Sequence, residues 1–284
     1  MYAITGITGQ VGGAVARTLL ANNQRVRAVL RDPARGKTWQ QQGCELAVAE
    51  MHDARALEHA FSNANAAFIL LPPNFDPSAG FPETRSILST LFDALESARP
   101  GRVVCISTVG AHAPQENLLT QLSMMEHTLG NLSMPVTFLR PAWFLENAAW
   151  DVALAKTQGE FPSFLQPLER KIPMVATADV GRVAAELLQQ NWQGVRVVEL
   201  EGPHGVSPND IAGALTQLLG REIKARAVPR DQWEALFREQ GASNPNPRMQ
   251  MLDGFNQGWL SFEHAPQHGR IPLMSVLGGL IKLA

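Results

Sequence analysis

Short apolar runs alternate with longer amphipathic stretches through the first 139 residues. Residues 1–5, 24–30, 44–49, 66–71, 102–107 and 136–139 read as strands, and the run 66–71 is apolar throughout, as in a strand covered on both faces. Between the strands, apolar positions recur at helical spacing. Leu57, Ala60 and Phe61 share one face of a helix capped by Asp53, and Ile87, Leu88, Leu91, Phe92 and Leu95 form the stripe of a helix over 84–98. Leu118, Leu122, Met125 and Leu129 do the same over 117–129. Strand and helix in regular succession predict an α/β fold with a doubly wound parallel sheet.

Beyond residue 142 the periodicity loosens. Trp143, Phe144 and Trp150 cluster, and prolines and aromatics scatter through 161–173. Two helices remain well signalled. One runs over 179–190, capped by Asp179. The other opens on Ser207-Pro208-Asn209-Asp210, a capping box with proline at the first helical position. Shorter helices are expected over 231–240 and 248–258, a strand over 195–200, and an exposed strand over 223–228. The pattern divides the chain into a main domain, 1–150, and a smaller C-terminal α+β lobe, 151–284, with the 195–200 strand returning to the main sheet.

The first strand runs into Thr5-Gly6-Ile7-Thr8-Gly9-Gln10-Val11-Gly12 and then a helical stretch. Strand, glycine-rich turn and helix in that order suit a dinucleotide pyrophosphate: the glycines allow a sharp turn and close backbone approach, and the helix N-terminus offers free N–H groups. Gly6, Thr8, Gly9, Gln10, Val11 and Gly12 are the candidate contacts. Arg31 ends the second strand nineteen residues beyond Gly12, where such a unit carries the residue facing the adenosine ribose. An acid there bonds the 2′-hydroxyl, whereas an arginine matches a 2′-phosphate. With Arg35 and Lys37 close behind, NADP(H) is preferred, although Asp32 could still reach a ribose and NAD(H) stays open. Leu71 and Pro72 at the end of the fourth strand, and Ser107 at the end of the fifth, open on the same crevice. Trp143, Phe144 and Asn147 follow the sixth strand as candidate contacts for a flat substrate. Packing between the lobes is the alternative for the two aromatics.

The 284 residues carry 24 basic and 26 acidic side chains, a net charge of −2, which leaves no electrostatic footprint for nucleic acid or an anionic membrane. Cys44 and Cys105 each lie in an apolar run and read as buried free thiols of a reducing compartment. No basic-then-apolar segment precedes the first strand, and the apolar run 271–284 is too short to span a bilayer, so a cytoplasmic protein is expected. Glu263, His264 and His268 are ligand types, but Pro266 breaks their helical spacing and no metal site is expected.

Six segments taken together resemble the NmrA-like branch of the atypical short-chain dehydrogenase/reductases: TGITGQVG, VLRDP, VVCISTVGA, FLRPAWFLEN, DVGRVAAELL and ELEGPHGVSPNDIA, in that order over roughly residues 1–240. The resemblance implies a Rossmann NAD(P)-binding domain with a small C-terminal lobe forming a cleft. It includes NADPH-dependent reductases, some acting on quinones, and proteins that bind the cofactor to sense redox state. The classical short-chain relatives use a Tyr-x-x-x-Lys pair. Here the single tyrosine is Tyr2, and no lysine lies between Lys37 and Lys156. A quinone-like or conjugated carbonyl acceptor suits this absence, because its reduced anion is already stabilised. A simple ketone gains more from a positioned acid. Ser107, Thr108, His112 and His127 are candidate donors, and none is assigned. Two readings follow: an NADPH-dependent reductase of a small-molecule acceptor, and a non-catalytic NAD(P)-responsive sensor that binds a partner protein.

Overall fold

Tyr2 and Ile4 point into one apolar core and Ala3, between them, into another. A strand buried on both faces in this way sits inside a layered α/β structure. The computed structural model describes residues 1–283. The first half comprises β1 (Tyr2–Ile4), α1 (Gln10–Ala21), β2 (Val26–Leu30), α2 (Lys37–Gln41), β3 (Glu45–Val48), α3 (Ala54–Phe61), β4 (Ala66–Ile69), α4 (Pro82–Ala98), β5 (Val103–Ile106), α5 (Thr120–Leu129) and β6 (Val136–Pro141). The second half adds β7 (Trp143–Phe144), α6 (Ala149–Gln158), β8 (Glu160–Ser163), β9 (Met174–Val175), α7 (Thr177–Gln189), β10 (Val195–Glu201), α8 (Pro208–Leu219), β11 (Lys224–Ala227), α9 (Trp233–Glu239), α10 (Asn246–Gln257), β12 (Gln267–His268) and α11 (Leu273–Leu283).

Eight strands form one sheet in the order β3-β2-β1-β4-β5-β6-β10-β12, each neighbouring pair parallel. The chain winds outward from β1 to β3, returns to β4 beside β1, and winds the other way. α1 and α7 cover one face, where Val11, Val15 and Leu19 share a core with Val180, Ala184 and Leu187. α3, α4 and α5 cover the other. A third core holds Val152, Phe161, Leu215, Trp233, Phe237 and Phe255, from α6, β8 and α8–α10, with β8 and β11 paired beside it. The C-terminal half is therefore split between two jobs: α7, β10 and β12 complete the large sheet, and the rest builds the smaller lobe.

A strap over 260–271 crosses from that lobe to the sheet. Ser261 O accepts from Gly110 N, and the Glu199 carboxylate accepts from the consecutive amides of Glu263 and His264 at 3.0 and 2.8 Å. β12 pairs with Leu200 and Glu201, and Asp179 Oδ2 accepts from the consecutive amides of Arg270 and Ile271, both at 2.8 Å. This corrects the expected role of Asp179. α7 begins at Thr177 with Ala176 as N-cap, and Asp179, 2% exposed, lies inside the first turn and binds the strap.

Other boundaries move for local reasons. α4 starts at Pro82, before its apolar stripe, because proline is pre-set for a first helical turn. α5 starts at Thr120 rather than 117, since Asn117 turns the chain there by accepting from Leu119 N at 2.8 Å. Asp53 and the Ser207–Asp210 box cap α3 and α8 as their sequence patterns predict. The strand expected over 223–228 is β11, whose flanking Ile223 and Val228 are buried.

Candidate functional site

The sheet reverses its winding between β1 and β4, and their carboxyl ends leave a crevice there. Thr5 ties the two ends together: its hydroxyl donates to Phe68 O at 3.0 Å and accepts from Leu70 N at 2.9 Å. Gly6 follows with φ +63°, a left-handed conformation, and a Cβ there would meet Leu70 Cδ2 at 2.6 Å. Gly12 lies so close beneath this turn that a Cβ would overlap the Gly6 carbonyl. Gly9, exposed and extended (φ −93°, ψ 178°), is the N-cap of α1.

α1 differs from α3 and α8 at its start. It has no side-chain cap and no acid in its first turn. Helix geometry leaves the N–H groups of Gln10, Val11 and Gly12 without intrahelical partners, and the positive end of the dipole is not neutralised. These are the features of an anion-binding helix terminus. Thr8 is half-buried in the same turn.

At the end of β2, Arg31, Arg35 and Lys37 are exposed. Among the described residues none of the three side chains makes an ion pair. Asp32 is engaged locally: its carboxylate caps a one-turn 3-10 helix, Pro33–Gly36, by accepting from Ala34 N at 2.9 Å. On the other side of the crevice, half-buried Leu71 and exposed Pro72 begin the loop to α4. This loop is pinned to both neighbours. Asn74 O accepts from Gln121 Nε2 at 3.0 Å, and the Asp76 carboxylate accepts from Ser243 N and Asn244 N at 2.8 and 2.6 Å. Those two backbone bonds hold the Asp76 carboxyl below the usual range. Phe75 at the loop tip stays 65% exposed.

Ser107 ends β5 and is 2% exposed. Its hydroxyl donates to Glu126 Oε1 of α5 at 2.5 Å. Arg140 of β6 grips the same carboxylate with two bonds, Nε to Oε1 at 2.8 Å and Nη2 to Oε2 at 2.7 Å. Its Nη1 reaches Glu263 of the strap and lies 3.5 Å from Glu199 Oε1. His112 Nδ1 lies 3.7 Å from the Glu263 carboxylate. Burial would lower the Arg140 guanidinium, but the bonds to Glu126 and Glu263 overcome it and hold the group above its ordinary value. Glu263 is held below the usual carboxyl range by the Arg140 bond. The Cys105 thiol, fully buried, is pushed up by burial and then by the Glu126 charge.

The structure thus brings Gly6, Thr8, Gly9, Gln10, Val11, Gly12, Leu71, Pro72 and Ser107 to the carboxyl ends of β1, β4 and β5, with Arg31 directly after β2 and Lys37 at the start of α2. Trp143 meets Phe255 of the smaller lobe edge-on at 5.1 Å, and its neighbour Phe144 packs against the sheet core. Asn147 is exposed in a 3-10 turn. Thr108 Oγ1 donates to Val109 O, and His127 lines an outer groove between α4 and α5. The sequence reading missed Glu126, Arg140, Glu199 and Glu263 as a group. The signal available was a charged residue at the end of one strand-like run, Arg140, and another inside a second, Glu199.

This sheet order, with a glycine turn at the switch point, is that of a Rossmann-type α/β protein. The chain belongs to the NmrA-like family, which it matches over residues 2–258. It is 24% identical over 235 residues to NAD(P)H azoreductase of Xenophilus azovorans, covering 82% of this chain and 78% of that one. It is likewise 24% identical over 243 residues to quinone oxidoreductase 2 of Escherichia coli K12, covering 85% and 82%. The fold is shared with the structure of an NADPH-dependent quinone oxidoreductase from Escherichia coli complexed with NADPH, at a TM-score of 0.77 and 22% identity over 99% of this chain and 95% of that one.

Proposed function

We propose that this protein is an NADP(H)-dependent oxidoreductase that reduces a quinone-like or conjugated small-molecule acceptor. The observation that carries the reading is the first turn of α1, uncapped and without an acid, beneath a glycine turn at the β1–β4 switch point. The residues present fit the cofactor: the tight turn, which side chains at Gly6 and Gly12 would break against Leu70 and the Gly6 carbonyl, leads into a helix start with no side-chain cap and no acid. Gly6, Thr8, Gly9, Gln10, Val11 and Gly12 would hold the pyrophosphate. Arg31 and Lys37 would hold the 2′-phosphate, and Leu71, Pro72 and Ser107 the nicotinamide end. Trp143, Phe144 and Asn147 border the acceptor end. The cofactor supplies a hydride when bound. Two relatives whose names specify NAD(P)H and quinone reduction support the choice of cofactor and acceptor.

The missing Tyr-x-x-x-Lys pair narrows the acceptor to one whose reduced anion is delocalised. It also favours a second reading, an NAD(P)-responsive protein that binds a partner without turnover. Anaerobic NADPH oxidation against a panel of quinones separates the two, with Gly9→Asp as the blank. Gly9 is exposed, and a Cβ there meets only Gly6 O at 3.3 Å, so the variant should fold while placing a negative charge where the pyrophosphate approaches. Turnover in wild type and loss of NADPH binding in the variant are expected. Tight NADPH binding with no acceptor reduced selects the sensor, and unchanged affinity in a folded Gly9→Asp removes the site.

A further inference from the structure

The direction of the Ser107–Glu126 hydrogen bond is fixed by the groups around it. Arg140 pairs with both oxygens of the Glu126 carboxylate, at 2.8 and 2.7 Å. A carboxylate in a bidentate guanidinium pair only accepts, so the 2.5 Å bond runs from the serine hydroxyl to Oε1. The single hydroxyl hydrogen of Ser107 is therefore committed to α5. What the oxygen has left, on the side away from Glu126, is lone pairs. The arrangement is held in place from behind, because Arg140 also binds Glu263, and Glu199 beside it accepts two amides of the strap.

We propose that Glu126 is a positioning residue: it fixes the Ser107 hydroxyl as a hydrogen-bond acceptor at the carboxyl end of β5, where it suits an amide N–H such as the carboxamide of a bound nicotinamide. Ser107 is accordingly not the proton donor of the reaction. The inference rests on the reductase reading above and completes its balance. Hydride transfer brings two electrons and one hydrogen to the acceptor, a water molecule protonates the resulting anion, and the hydroxide left behind passes to bulk buffer. Neither Ser107 nor Glu126 gains or loses a proton.

The test compares wild type with Ser107→Ala, Ser107→Thr and Glu126→Gln, using calorimetric titration with NADPH and steady-state quinone reduction in H2O and D2O. Removing the acceptor in Ser107→Ala should weaken NADPH binding about tenfold and raise KM for NADPH by a similar factor, a loss carried by KM rather than kcat. Threonine, which keeps a hydroxyl, should recover most of it. Glu126→Gln should weaken binding as well, and adding it to Ser107→Ala should cost no further affinity, because Glu126 acts through the serine. Unchanged NADPH affinity in Ser107→Ala overturns the proposal. So does a fall of about a hundredfold in kcat with an altered solvent isotope effect, which is the signature of a proton donor. If Glu126→Gln does not fold, the two Ser107 variants decide, since they leave the Arg140–Glu126 pair intact. Wild type that binds NADPH but reduces no quinone removes the reductase reading, while the titrations still judge the hydroxyl. Wild type that binds no NADPH overturns both.

Discussion

Asp32 and Arg31 are adjacent, and only one of them is free to meet a ligand. Because Asp32 caps Pro33–Gly36, its charge is held by a backbone amide, and in the reading proposed above exposed Arg31 is the residue that selects the cofactor. Hydrogen bonds to charged groups contribute about 1.5–3 kcal/mol, or roughly ten- to a hundredfold in affinity. Arg31→Ala should lose NADPH affinity by about that factor and leave NADH nearly unchanged, with Arg35 and Lys37 pulling the loss toward its lower end. Titration with both nucleotides checks this, and equal losses would show that Arg31 is not the discriminator. A second residue carries a pH dependence. Burial raises the Asp151 carboxyl, in the first turn of α6, to about 7. Unfolded, it titrates near 3.9. Below about pH 4 both states are protonated and there is no cost; as pH rises toward 7 the unfolded state ionises first, so stability falls and stays lowered above 7. Asp151→Asn should raise Tm by about 2–4 °C at pH 8, near 1 kcal/mol, and change it little at pH 4. Melts at the two pH values decide. The glycine turn and Arg31 were legible because a local pattern, turn then strand end, defines them. The Ser107–Glu126–Arg140–Glu263 chain was not, because its members meet from four elements far apart in sequence.

Elements were legible wherever periodicity was strong, and their roles less so. An aspartate at the head of an apolar helical pattern reads as an N-cap, and Asp53 is one. Asp179 carries the same local signal and does something else, holding the amides of Arg270 and Ile271 at the far end of the strap. Nothing within a few residues of Asp179 distinguishes the two uses. The difference has a measurable consequence. Asp179→Ala leaves two amides at a buried site without an acceptor, each costing about 1–3 kcal/mol. The expected loss is about 2–4 kcal/mol by urea denaturation, several times that of a helix cap. Losing only about 1 kcal/mol would mean that the strap finds other partners or was never firmly held. The exposed surface of β11 was read correctly from its alternating charges, but its pairing with β8 needed the lobe.

At the scale of the molecule, the parallel sheet was legible because its inner strands are continuous apolar runs, a composition that demands cover on both faces. The order β3-β2-β1-β4-β5-β6 follows from winding both ways out of the glycine turn. The last two places do not. β12 is two polar residues, Gln267 and His268, with no hydrophobic pattern at all, and it joins the sheet because carboxylates on β10 and α7 draw the strap there.

That late strand has a consequence for how the protein is made. β10 is synthesised more than sixty residues before β12, and until the strap arrives its outer edge and the Glu199 and Asp179 carboxylates lack their partners. A growing polypeptide emerging from the ribosome therefore passes through a stage in which the half that carries the glycine turn has its strands β1–β6 but the far side of the sheet is open. Unpaired parallel edges invite association with other chains. Slowing translation between residues 201 and 267 prolongs that stage and should lower the soluble yield of the protein.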